Sequence, residues 1–156
     1  MRALPIRAFT PGATGPYSAQ TLCTGRPPAR QPIPASLRRA VLRQYGMERV
    51  ADGDYELDYL ITPELGGAPD ARNLWPQRYA SRVWNARVKD DLEDLLPQLV
   101  CAGSLDLATA QRDMADNWIA AYRKYFGTDR PALRQASFAD DDHFQPVTFR
   151  LNSRTR

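Results

Sequence analysis

The chain has 156 residues, enough for one domain around one core, and its 43% hydrophobic and 25% charged content is that of an ordinary globular protein. A net charge of +3 with a pI near 9.1 permits a polyanionic partner without demanding one. No apolar run approaches the ~20 residues of a membrane-spanning helix, so no integral membrane protein is expected.

Residues 1–35 are rich in Pro, Gly, Thr and Ala without periodicity. They read as an extended N-terminal arm that wraps the domain. Ser36 suits a helix N-cap, Leu37, Val41 and Tyr45 share one face, and Gly46 supplies the stop. Arg38, Arg39 and Arg43 surround the remainder of that helix as a solvated face. Tyr55–Ile61 alternates and then turns apolar, as a half-buried strand does. Pro63 ends it, Gly66-Gly67 gives the following loop its backbone freedom, and Asn73-Leu74-Trp75 reads as a returning strand that Pro76 stops.

From about Tyr79 to Val100, residues Val83, Trp84, Val88, Leu92, Leu95, Leu96 and Leu99 recur at three- and four-residue steps. That is the buried stripe of a long helix, with Pro97 expected to kink or end it. A last helix runs from Leu107 to about Phe126, capped by Asp106 and stopped by Gly127. Trp75, Trp84 and Trp118 read as core. Residues 128–156 hold a strand-like piece (Pro146–Leu151), the acidic run Asp140–Asp142 and the single histidine, His143. These read as solvated loop and trailing segment, and the domain proper spans 36–127.

Cys23 and Cys101 are too few and too distant for a zinc knuckle or a redox CxxC pair. Two readings stay open: two buried thiols, or a disulfide tying the arm to the end of the central helix. Met1–Thr10 lacks an apolar segment of signal-peptide length. The expected location is the cytoplasm, or the periplasm or exterior if a leader has been removed and the disulfide forms.

The segment Tyr55–Pro76 (YELDYLITPELGGAPDARNLWP) carries the strongest signal. With ELGG at Glu64–Gly67, NLWPQ at Asn73–Gln77, WNARVKD at Trp84–Asp90, VCAG at Val100–Gly103 and WIAAYRKY at Trp118–Tyr125, the chain resembles HNH-type (ββα-metal) endonucleases. The pattern is that of a bacterial subfamily reading DHLIPLELGG, NLWPQ and WNARVKD. TPGA at Thr10–Ala13 fits more loosely. The resemblance covers most of the chain and implies an α+β fold: a small hairpin-plus-helix core with additional helices and the N-terminal arm. It implies a divalent metal (Mg²⁺ or similar) held against a scissile phosphate, with nucleic acid, DNA above all, as partner.

Residue by residue, the resemblance implies Asp58 as a metal ligand and Asn73 as the residue that orients the base. Asn85 is the candidate second ligand on the helix. Arg87 and Lys89 are candidates to meet phosphate, with Glu93 one turn beyond. Two positions depart: Tyr59 stands where the family has its catalytic His, and Thr62-Pro63 replaces a Pro-Leu pair. A phenol has an ordinary pKa near 10, so Tyr59 would need a neighbouring cation, Lys89 or Arg87, to act as a base. Loss of the general base costs typically 10²–10⁴-fold in rate. The expectation is therefore a nuclease-fold protein acting on nucleic acid with hydrolysis impaired or lost through Tyr59. The alternatives are an active divalent-metal endonuclease using Tyr59 as its base, and a non-catalytic protein-interaction scaffold.

Overall fold

The computed structural model of the chain describes residues 3–25, 28, 30–79 and 83–131. Within them an α+β arrangement is built on one two-stranded antiparallel sheet, β1 (Tyr55–Tyr59) and β2 (Leu74–Arg78). Its register sets Glu56 opposite Gln77 and Asp58 opposite Trp75, so these four side chains share one face. Tyr55, Leu57 and Tyr59 point to the other face. The hairpin is covered on both sides, which is why β1 becomes continuously buried at its end instead of alternating.

The Tyr59 face packs on α2 (Ala35–Gln44), where Val41, Tyr59 and Leu74 form one buried cluster and Leu42, Met47 and Tyr55 another. The Asp58 face packs on α3 (Ala86–Cys101), and Trp75, Val88, Leu92 and Leu96 enter the main core there. A fourth helix, α4 (Leu107–Phe126), adds Ala110, Met114, Trp118, Ala121 and Tyr122 to that core. Trp84 is partly buried against Trp118 and Tyr122, so all three tryptophans lie where the sequence placed them.

Four elements differ from the expectation. The central helix begins at Ala86 rather than Tyr79, because β2 continues through Pro76 to Arg78 and Asn85 caps the helix. Val83 therefore falls outside the stripe and is exposed. Pro97 lies within α3 without ending it: Leu96 and Val100 stay buried on either side. The second helix starts two residues early, with Pro34 rather than Ser36 at its N-cap position. In α4 the backbone breaks at Asn117 (φ −168°, ψ 95°), whose side chain accepts from Ala120 N–H at 3.0 Å and so caps the second half. Pro146–Leu151, Asp140–Asp142 and His143 lie outside the described residues.

The arm carries its own short helix, α1 (Ala19–Thr24), opened by a Ser18–Thr21 capping box. The arm's described residues are bound to the domain at several points. Gly12 N–H donates to Arg72 C=O (2.9 Å), Gly15 N–H to Gly66 C=O (2.8 Å), and Ala68 N–H to Ala13 C=O (2.9 Å). Thr10 is buried, its hydroxyl donating to Leu74 C=O and sharing a hydrogen bond with the Tyr45 hydroxyl. Trp118 Nε1 donates to Ala3 C=O. Cys23 and Cys101 form a disulfide joining α1 to the last residue of α3 across 78 positions. Of the two readings left open by the sequence, the bonded one holds.

Removing that crosslink by Cys23→Ser with Cys101→Ser is expected to destabilise the fold by up to about 4.5 kcal/mol on the loop-entropy account. Chemical denaturation of the parent, with and without reductant, and of the double variant checks it. Equal midpoints for all three would show that the arm is held without the bond.

Candidate functional site

Asp58 and Tyr59 at the end of β1 and Asn73 just before β2 lie at the same end of the hairpin, with the Asp58 and Tyr59 side chains on opposite faces. Asn73 is fully buried and braces the loop that leaves β1. Its Oδ1 accepts from Ile61 N–H (2.9 Å), and its Nδ2 donates to Ile61 C=O (2.9 Å) and Ala68 C=O (3.1 Å). Its main-chain oxygen accepts from Leu60 N–H. One amide side chain thus closes both ends of the Thr62–Ala68 loop. Gly67 makes the closure possible: a Cβ there would stand 1.7 Å from Ile61 O and 2.9 Å from Asn73 Nδ2. Gly66 takes φ +78°, the conformation glycine supplies.

On the α3 side of the hairpin lies a cluster of charges. Lys89 is 0% exposed and Asp58 2%. Lys89 Nζ donates to Asp58 Oδ2 at 2.7 Å, to the main-chain oxygen of Tyr59 at 2.6 Å and to Glu93 Oε1. An ammonium has three N–H donors, and all three are taken by oxygen. Arg30, from the arm, reaches over the pair: its Nη2 donates to Glu93 Oε2 at 2.5 Å and its Nη1 stands 3.8 Å from Asp58 Oδ1. That Asp58 oxygen is buried and has no hydrogen-bond partner among the described residues; the same holds for both amide atoms of Gln77 and for Trp75 Nε1 on the same face.

The electrostatics follow from burial among like and unlike charges. Burial opposes the Lys89 charge, but Asp58 and Glu93 more than offset it and hold the ammonium above the ordinary lysine range. Glu56, next along the same strand face, is pushed up to about 7 by burial, with the Asp58 and Asp90 charges adding to it. The Tyr79 hydroxyl lies 3.4 Å from its Oε2.

Several expected roles need correction. Lys89 does not meet phosphate, because its ammonium is sealed between the hairpin and α3. Asn85 is fully buried, and its Oδ1 accepts from Val88 N–H at 3.1 Å as the α3 N-cap, so it serves the helix terminus rather than a metal. The Tyr59 side chain turns to the α2 face among Val41 and Leu74, away from the Asp58 carboxylate. Burial raises its pKa, and Arg30, not Lys89 or Arg87, is the cation that pulls the other way. Lys89 touches the carbonyl of Tyr59 and not the phenol. Arg87 is exposed in the first turn of α3.

Two carboxylates and one peptide carbonyl converge on the Lys89 ammonium. Among the described residues no three His, Cys, Asp or Glu side chains gather as a metal site. Asp58 and Asn85 do not fit a metal together, since one is ion-paired and the other caps a helix. The residues missed by the sequence are Arg30, which no local pattern distinguishes within the arm, and Gln77, which lies beyond Pro76, where the strand is expected to stop. No family model, curated protein or solved structure matches this chain.

Two outcomes are expected at this site. Asn73→Ala should cost about 2–4 kcal/mol, since it leaves Ile61 N–H and two carbonyls unpaired in the interior. Asn73→Asp should cost at least as much despite its matching shape, because both donors become acceptors; urea denaturation of the pair decides it. The second outcome concerns pH. The folded Glu56 carboxyl keeps its proton above its ordinary value of 4.5. The stability it contributes is complete below that value and is lost as pH rises through about 7. The melting temperature is expected to fall between those limits in the parent and to fall less in Glu56→Gln; parallel profiles would remove Glu56 from the account.

Proposed function

We propose that this chain is an HNH-type nuclease scaffold that binds nucleic acid without metal-dependent hydrolysis. The observation that carries this reading is the Lys89 ammonium held by Asp58, Glu93 and the Tyr59 carbonyl, where the resemblance calls for a metal. The hairpin, the Asn73-braced loop and the helix crossing the Asp58 face support the scaffold half of the reading. Neither element of a metal-activated water is on offer: Asp58 is engaged and Tyr59 is a buried phenol on the opposite face. The half-exposed Arg30 guanidinium at the mouth of the cluster and the exposed Arg87 support contact with a phosphodiester backbone.

A second reading, a protein-interaction scaffold without a nucleic-acid role, draws on how much surface charge is spent internally. Arg7 pairs with Asp116, Arg38 with Asp52, Arg43 with Glu48, Arg72 with Asp70 and Lys124 with Asp113.

Supercoiled plasmid incubated with Mg²⁺, Mn²⁺ or EDTA is expected to show no nicking above the EDTA lane. Tyr59→His alone is expected to restore none, because the ammonium still holds Asp58. Binding to duplex DNA is expected at low salt, weakening as salt rises, with Arg87→Gln weaker than the parent. Metal-dependent nicking by the parent would overturn the non-hydrolytic reading, and absence of DNA binding at low salt would leave the protein-interaction scaffold in its place.

A further inference from the structure

The chain draws its 21 basic residues almost wholly from arginine: lysine occurs twice, at Lys89 and Lys124. One of those two is the residue buried completely between the hairpin and α3. Chemistry explains the choice. A guanidinium is a planar fork suited to carboxylates side by side, whereas an ammonium is a compact cation whose three donors point to the corners of a small cage. Here the corners are Asp58 Oδ2, Glu93 Oε1 and the Tyr59 carbonyl oxygen. Two carboxylates and a peptide carbonyl are also the donor set of a hard divalent ion. A further observation points the same way: Asp58 Oδ1, buried in the cluster, has no hydrogen-bond partner among the described residues and faces Arg30 only at 3.8 Å. The cage therefore offers one more oxygen than the ammonium uses.

We propose that the Asp58–Tyr59 carbonyl–Glu93 cage is a hard-cation site whose resident cation is the tethered ammonium of Lys89, and that a divalent ion of the Mg²⁺ or Mn²⁺ class enters once that ammonium is removed. The inference deepens the reading above, since it rests on the assignment of Asp58 to a cation. It adds the occupant, two residues (Glu93 and, through its carbonyl, Tyr59) in the role of ligands, and a role for Lys89 as the group that keeps metal out. A charge fixed to the helix has no dissociation step and no dependence on metal supply. Its carboxylates are neutralised at the moment of folding, and the protein gives up a metal-linked gain in stability in return.

Thermal melting of purified parent and Lys89→Met, each in EDTA and in millimolar Mn²⁺, tests this without nucleic acid present. The parent is expected to melt at the same temperature in both. Lys89→Met, with its carboxylates left facing one another, is expected to melt lower in EDTA and to recover by several degrees in Mn²⁺, with one ion bound per chain by equilibrium dialysis. Lys89→Met carrying Asp58→Asn should lose that recovery. If Lys89→Met is unfolded in EDTA, return of its native circular dichroism on adding Mn²⁺ supports the proposal, and remaining unfolded in both overturns it. So does a folded Lys89→Met that melts alike with and without metal, or a parent that gains stability from Mn²⁺. These outcomes concern melting alone, so failure of the DNA-binding reading and failure of the cage are separable.

Discussion

A single ammonium buried among oxygens is the constraint around which the rest of this molecule is organised. Lys89 ties the end of β1 to the second turn of α3, and through Glu93 and Asp58 it ties both to Arg30 in the arm. Removing one partner from such a cluster typically costs about 3–5 kcal/mol, because the survivor is left charged and dry. Replacing a whole buried ion cluster with apolar groups of like volume is often neutral or stabilising. Net stability is therefore a poor explanation for its presence. What the cluster does well is fix geometry. Three directional donors accept one arrangement of hairpin against helix, whereas the apolar contacts of Trp75 with Val88 and Leu92 tolerate small slides.

The arm completes that arrangement. Arg30 has no helix or strand of its own to place it, yet it must meet Glu93 and Asp58 from the solvent side. Two attachments bring it there. The Cys23–Cys101 bond pins α1 to the end of α3, and α2 begins at Ala35 against the Tyr59 face. The connection between these anchors carries Arg30 across the charge cluster. Upstream of α1, hydrogen bonds at Ala13 and Gly15 clamp the arm to the Gly66–Ala68 stretch that Asn73 braces from inside, and Gly12 adds one to Arg72 C=O. The loop is thus held on both flanks, and Gly67 has room for neither a side chain nor a shift.

How much of this could be read from residues alone depended on whether the deciding force was local. The α4 cap at Asp106 and its Gly127 stop and the turn at Gly66 are set by neighbours within a few positions, and the sequence displays them. Pro76 reads as a stop for β2, yet the strand runs through it with Leu57 as its partner across a single neighbouring strand. The break at Asn117 was invisible because an Asn in mid-helix is common and the break shows only in its own cap. At the site, Asp58 and Asn73 were placed from a motif. What the motif could not convey was the side of the strand. Adjacent strand residues point oppositely, so once Asp58 faces α3 the Tyr59 ring faces α2, whatever chemistry a phenol might offer.

Two residues at this site differ in weight: Tyr59, which departs from the resembled pattern, and Lys89, which belongs to the shared WNARVKD motif. Tyr59 standing in the base position would by itself leave a cation pocket open beside Asp58, with catalysis lowered but the ligands in place. Lys89 changes the pocket itself. Its positive charge neutralises the same carboxylates a metal would, and it occupies the space between them. An ion arriving from solvent would have to displace a cation attached to the backbone, which pays no entropy of association each time it binds, and would then leave an ammonium stranded in a dry interior. The repulsion of two cations inside a low-dielectric cage makes joint occupancy costly as well. On the proposed reading the identity of residue 59 is secondary for hydrolysis, because the cation question turns on α3, on one of two lysines in a chain whose other basic residues are arginine.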